Sequence, residues 1–177
     1  MQADRFIQKV IEHFPTQLPD PSRLFEGVRV ESGHEKLECL ATVEWPEFSL
    51  GIIDFVAGEF WQLSNAWTQY YLPAVMRVTI DIELEFNEHG ELPDKQEGLM
   101  TILFSYWCSI DNFQTEQFDI TKNVFYGLTS NQIDVLETWL NAIEFRPLDK
   151  TYNLPDNFNY TKENLSSFIT KIRKFAA

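Results

Sequence analysis

Residues Phe60–Met76, FWQLSNAWTQYYLPAVM, restrict the possible folds of this chain more than any other stretch. Two of the five tryptophans fall here, together with the Tyr70-Tyr71 pair and Pro73. Aromatic side chains remove the most apolar area from water per residue, so the core has to be anchored on this segment. Ser64 is placed to cap a helix, and Ala66, Trp67, Tyr70 and Tyr71 form one helical face before Pro73. A proline that far into a helix removes a backbone donor, which kinks the helix or starts a new one with Pro73 in its first turn. Beyond it, over 74–86, two templates compete. Val78, Ile80, Ile82, Leu84 and Phe86 alternate with polar residues as in a strand, whereas Met76, Ile80 and Leu84 make a helical stripe.

The flanking segments read more simply. Phe6, Ile7, Val10, Ile11 and Phe14 mark a helix over 3–14, with Asp4 as a cap and Pro15 as its stop. Three prolines between Pro15 and Pro21 then force a rigid, extended connection. Val28 and Val30 suggest a short extended piece over 27–32, and 35–43 a short helix with Leu37, Leu40 and Ala41 inward, broken at Trp45-Pro46. Residues 47–58 have helical spacing weakened by Gly51 and Gly58. A turn is expected over 87–94. After it, Asp94 and Glu97 have capping-box spacing for a helix through about Trp107, in which Gly98 is a local cost. Residues 111–127 are irregular. Thr129 and Gln132 form a capping box flanked by the staple pair Leu128 and Ile133. Behind it run Ile133, Leu136, Leu140 and Ile143, with Trp139 on the flank. A polar linker over 147–159 leads to a last amphipathic helix over 161–175, carrying Leu165, Phe168, Ile169, Ile172 and Phe175.

Charge excludes more than it assigns. With 27 acids against 14 bases the chain carries −13, too little positive charge to clamp nucleic-acid phosphates or to dock on an anionic membrane. Long-range attraction instead favours a basic protein partner. From residue 150 onward the balance turns to +3, and the preceding 149 residues carry −16. A basic last helix beside an acidic body points to complementarity within the chain. Cys39 and Cys108 have apolar or aromatic neighbours and no CxxC spacing, which suggests two buried, reduced thiols. The charged N-terminal segment has no apolar core of a signal peptide, and the expected location is the cytoplasm.

The run AWTQYYLPAVM (Ala66–Met76), preceded by Phe60-Trp61-Gln62-Leu63-Ser64, and the capped helix LTSNQIDVLETWL (Leu128–Leu140) together resemble a bacterial family of small proteins with no assigned activity. That family has a "Leu-(Ser/Thr), x, x, aromatic, x, Tyr-Tyr-Leu-Pro-Ala, x, Met" segment ahead of a "Leu-Thr-x-x-Gln" helix. Within the match, YYLPA is the specific part. The acidic 81–97 segment and the basic last helix depart from the family pattern. The resemblance implies a mostly helical, soluble bacterial domain and favours helix over strand for 74–86. Proteins of this general sort occur as immunity or accessory proteins.

The fold expected is therefore mainly α: a single compact helical domain with a kinked, aromatic-rich central helix, and a small β element (α+β) as the alternative. Residues 1–149 form the helical domain, and 150–177 a linker and docked C-terminal helix of the same domain.

No motif for chemistry stands out. GxSxG, GxGxxG, a phosphate loop and HExxH are all missing. His13, His34 and His89 read as satisfied or solvated residues. His34 and Glu38 share a helical spacing but fall short of the three or four ligands zinc requires. No catalytic residue, metal or cofactor is assigned. Two candidate surfaces remain. Asp81, Glu83, Glu85, Glu88 and Glu91 lie in an acidic run, continued by Asp94 and Glu97, that would dock a cationic partner. Trp67, Tyr70 and Tyr71, near Pro73, would line an aromatic cleft for a small ligand or an enzyme's substrate. The first makes the chain a non-enzymatic protein-binding module, such as an immunity or accessory protein, and the second a ligand binder or enzyme.

Overall fold

The computed structural model describes residues 3–89, 98–99, 101–103, 106, 123–142 and 162–176. The expected turn at 90–94, the Asp94–Glu97 capping box, Glu91, Cys108, Ile143 and the linker over 147–159 lie outside them. The fold is mainly helical, and among the described residues there is no strand. Among the described residues, its α-helices include α1 Ala3–His13, α2 Leu50–Val56, α3 Asn65–His89, α4 Ser130–Ala142 and α5 Lys162–Arg173. Short 3-10 helices at Pro21–Arg23, His34–Thr42, Trp45–Glu47 and Phe60–Gln62 punctuate the path between α1 and α3. Gly98, Leu99, residues 101–103 and Tyr106 are also helical.

At the centre stands α3, one helix of 25 residues with Pro73 inside it. Ser64 caps it: the Trp67 N–H donates to the serine Oγ at 3.5 Å and the Thr68 N–H to its carbonyl at 2.9 Å. The strand-like alternation downstream of Pro73 has a plain cause. Met76, Val78, Thr79, Ile80 and Ile82 are all buried, so this part of the helix is enclosed on most sides and the one-sided stripe of a surface helix is lost. The buried Thr79 hydroxyl bonds back to the Val75 carbonyl at 2.8 Å and accepts the Trp139 indole N–H at 2.7 Å, tying α3 to α4. The helix continues through 87–89, where the start of a turn was expected.

The other helices pack around this axis. Helix α1 lies against α3 and α4, and α4 against α5. Phe6, Val10 and Phe14 are buried, whereas Ile11, grouped with them by spacing, is 49% exposed. The capping box of α4 forms as the residues require. The Thr129 N–H donates to Gln132 Oε1 at 2.9 Å, the Gln132 N–H to Thr129 Oγ1 at 3.3 Å, and the staple pair Leu128 and Ile133 is buried. Helix α5 buries Leu165, Phe168, Ile169 and Ile172 but leaves Phe175 out. Its Arg173 guanidinium reaches both Asp134 and Glu137 on α4, at 2.7 and 2.6 Å. Gly27, at φ 76°, closes a turn over 24–27, and residues 29–31, within the stretch where an extended piece was expected, have no regular structure.

Candidate functional site

The aromatic trio of α3 is core. Trp67 and Tyr71 have no exposed surface and Tyr70 is 7% exposed. The rings pack on one another, with centroids 5.1 Å apart for Tyr70–Tyr71 and 5.9 Å for Trp67–Tyr70, while Phe48 lies 4.5 Å from Tyr71. Their polar tips are spent on backbone. The Tyr70 hydroxyl donates to the Thr16 carbonyl at 2.6 Å and accepts the Trp45 N–H at 3.2 Å. The Tyr71 hydroxyl lies 2.7 Å from the carbonyls of both Leu40 and Val43. The Trp67 indole N–H donates to the Asp20 carbonyl at 3.3 Å, and that of Trp45 to the Pro15 carbonyl at 2.9 Å.

These contacts correct the expectation of an aromatic cleft at Trp67, Tyr70 and Tyr71. The rings face neighbours, and their hydroxyl and indole groups hold the proline-rich connection and the 34–47 segment onto α3. The signal for this was present in the residue types. A buried Tyr or Trp needs a partner for its polar tip, and a connection without regular structure has unpaired carbonyls to give. Burial pushes the Tyr70, Tyr71 and Tyr106 phenols up from their ordinary value. None of them is a poised acid or base near neutrality.

The acidic candidates divide. Asp81 and Glu88 are exposed on the second half of α3. Positions 83 and 85 belong to the same helix, and Glu91 lies beyond the described residues. At roughly 100° per residue, positions 81, 85 and 88 share one helix face and position 83 falls off it. A strand would have put 81, 83 and 85 on one side, so the helix breaks that set and selects a different one. Partial burial pushes the Asp81 carboxyl above the usual carboxylate value, opposed by the Arg77 guanidinium one turn back. Arg77 itself is turned inward, donating from Nη2 to the Phe48 carbonyl at 2.9 Å. An incoming cation would act on Asp81 as Arg77 does, favouring the ionised form.

The remaining reactive side chains occupy ordinary positions. His34 Nδ1 bonds the Glu31 carbonyl at 2.9 Å, and its ring meets Phe25 edge-on. Cys39, expected inside, is exposed, its thiol donating to the Lys36 carbonyl at 2.9 Å. The short helix it sits on buries Leu37 and Leu40 and turns position 39 outward. Among the described residues no group of three or more His, Cys, Asp or Glu could hold a metal ion. Nor, among them, is any helix long and apolar enough to cross a membrane.

Comparison of the chain with protein-family models, with curated proteins and with solved structures finds no match in any of the three.

Proposed function

We propose that this chain is a non-enzymatic protein-binding module, of the immunity or accessory type, that docks a basic protein partner through the acidic face of α3. The observation that carries this reading is the exposure of Asp81 and Glu88 on a helix whose neighbouring positions Val78, Thr79, Ile80 and Ile82 are buried, in a chain of net charge −13. A rigid, core-anchored helix presents its acids at fixed positions, which suits recognition better than a mobile acidic tail. Long-range attraction from the whole chain would speed the encounter. The resemblance of Ala66–Met76 to a bacterial family is consistent with a bacterial accessory role.

The test is capture of partners from the native host with the intact chain, at low salt and at about 0.5 M salt, where charges on exposed groups are screened within a few ångströms. A partner retained at low salt, released at high salt, and bound less well by an Asp81→Asn/Glu88→Gln variant is the expected result. Recovery of no salt-sensitive partner would overturn the reading.

A further inference from the structure

A hollow of about 650 Å³ lies between the 21–26 turn and the 3-10 helix His34–Thr42. Its volume is within the range of about 300–1,000 Å³ typical of sites that enclose small groups. Leu24, Phe25 and Ala41 contribute apolar lining, and Glu26 and Glu38 contribute carboxylates. Leu24 is buried, and Phe25 and Ala41 are half-buried, so the apolar part of the lining is tied to the core rather than to a loose loop.

The lining already contains one guanidinium–carboxylate contact. Arg23 donates from Nε to Glu26 at 2.5 Å, with both side chains more than half exposed. Exposed pairs of this kind contribute roughly 0–1 kcal/mol, so an incoming guanidinium can displace Arg23 at little cost. Glu38 has no ion-pair partner among the described residues.

We infer that this hollow takes an arginine side chain of the basic partner, its aliphatic stem against Leu24, Phe25 and Ala41 and its guanidinium between Glu26 and Glu38. The inference rests on the charge-driven reading given above and specifies where one anchor of that partner sits. The chemistry selects arginine over lysine. A guanidinium is weakly hydrated and presents a planar fork to carboxylates, whereas an ammonium is compact and strongly hydrated. The stem of a long basic side chain covers apolar surface while its head stays at a wet rim, which matches an open hollow.

The experiment titrates the intact chain with an N-acetylated hexa-arginine amide and, separately, with hexa-lysine, following backbone amide shifts and the Kd. The expected result is arginine-selective shift changes at Leu24, Phe25, Glu38 and Ala41. Glu26→Gln/Glu38→Gln, two exposed near-isosteric changes, should weaken binding about tenfold, and Ala41→Trp, which fills the hollow, by at least as much. Arg23→Ala should tighten it about threefold by freeing Glu26. Undiminished binding by both Glu26→Gln/Glu38→Gln and Ala41→Trp, equal response to hexa-lysine, or weakening by Arg23→Ala would each overturn the inference. The host-partner capture separates the two readings. A salt-sensitive partner held equally well by Ala41→Trp leaves the charge-driven function standing and removes the hollow. Absence of any salt-sensitive partner removes both.

Discussion

Gly98 and Asp54 meet backbone to backbone: a Cβ placed on Gly98 would stand 2.6 Å from the Asp54 Cα and 2.5 Å from its Oδ1. That same Oδ1 accepts the Gly98 N–H at 3.2 Å. The helical segment containing Gly98 is therefore seated on α2 at a separation only a glycine permits. Gly98→Ala gains intrinsic helix propensity worth up to ~1 kcal/mol and loses more by forcing the two backbones apart, so a net destabilisation of about 2 kcal/mol is expected. Urea unfolding, comparing midpoints at constant slope, measures it. A stabilised variant would show that the contact is not maintained in solution.

How much of this was legible in the sequence depends on whether the signal was local. Capping at Ser64 and at Thr129–Gln132, and the existence of α1, α4 and α5, follow from nearest neighbours along the chain and were readable. Gly98 was readable only as a helix-weakening residue, because its purpose lies in Asp54, 44 positions away. Ile11 and Cys39 show the same limit: periodicity names a face but not how wide a strip of it is covered. For 74–86 the pattern was misleading in a specific way, since Met76, Val78, Thr79, Ile80 and Ile82 are buried on several sides of the helix and only a narrow strip at Asp81 is left to report its period. The candidate surfaces suffered most. Tyr70 and Tyr71 looked like ligand-facing groups because their partners, carbonyls of Thr16, Leu40 and Val43, come from segments that have no pattern of their own.

Tyr71→Phe tests the anchoring role directly. The phenyl ring would keep its packing against Phe48, but the Leu40 and Val43 carbonyls would lose the hydroxyl that lies 2.7 Å from each. Leaving such buried acceptors without a partner costs roughly 1–3 kcal/mol. The 34–43 segment should then exchange its amide hydrogens faster than α4 does, because the loss is local to it. Uniform behaviour across both elements would argue that the hydroxyl does not hold this segment.

High pH should unfold the chain through the same tyrosines. Burial raises the Tyr71 and Tyr106 phenols in the folded state, while in the unfolded chain they ionise near the ordinary value of roughly 10. A raised folded value means that the stability contribution is complete below about pH 10 and is lost progressively above it. Each tyrosine that stays protonated only in the folded state removes up to ~1.4 kcal/mol per pH unit beyond that point. The part of the tyrosinate absorbance that comes from the buried tyrosines and the far-ultraviolet circular dichroism should change together in one cooperative alkaline transition. Tyrosinate appearing well before loss of helix, in proportion to all six tyrosines, would contradict this.

Of two contacts of α4, one should weaken with salt and the other should not. Gln132 closes the capping box with Thr129, and its Nε2 also donates to the His13 carbonyl at 3.1 Å, so one side chain serves the start of α4 and the end of α1. Gln132→Ala removes both and should cost about 1–2 kcal/mol, since loss of a cap alone is worth ~1 kcal/mol. Arg173 binds Asp134 and Glu137 at shorter distances, 2.7 and 2.6 Å, but all three side chains are more than a third exposed. Water and ions screen that clamp, while the helix it belongs to is held by buried Leu165, Phe168, Ile169 and Ile172. Arg173→Ala should therefore cost less than about 1 kcal/mol at low salt and next to nothing at ~1 M, where the screening length falls to about 3 Å. The Gln132→Ala deficit should be the same at both salt concentrations, because neutral hydrogen bonds carry no screened charge. Thermal or urea unfolding of the two variants at the two salts decides it, and a salt-dependent loss in Gln132→Ala would mean that the glutamine acts through charged neighbours rather than through its cap.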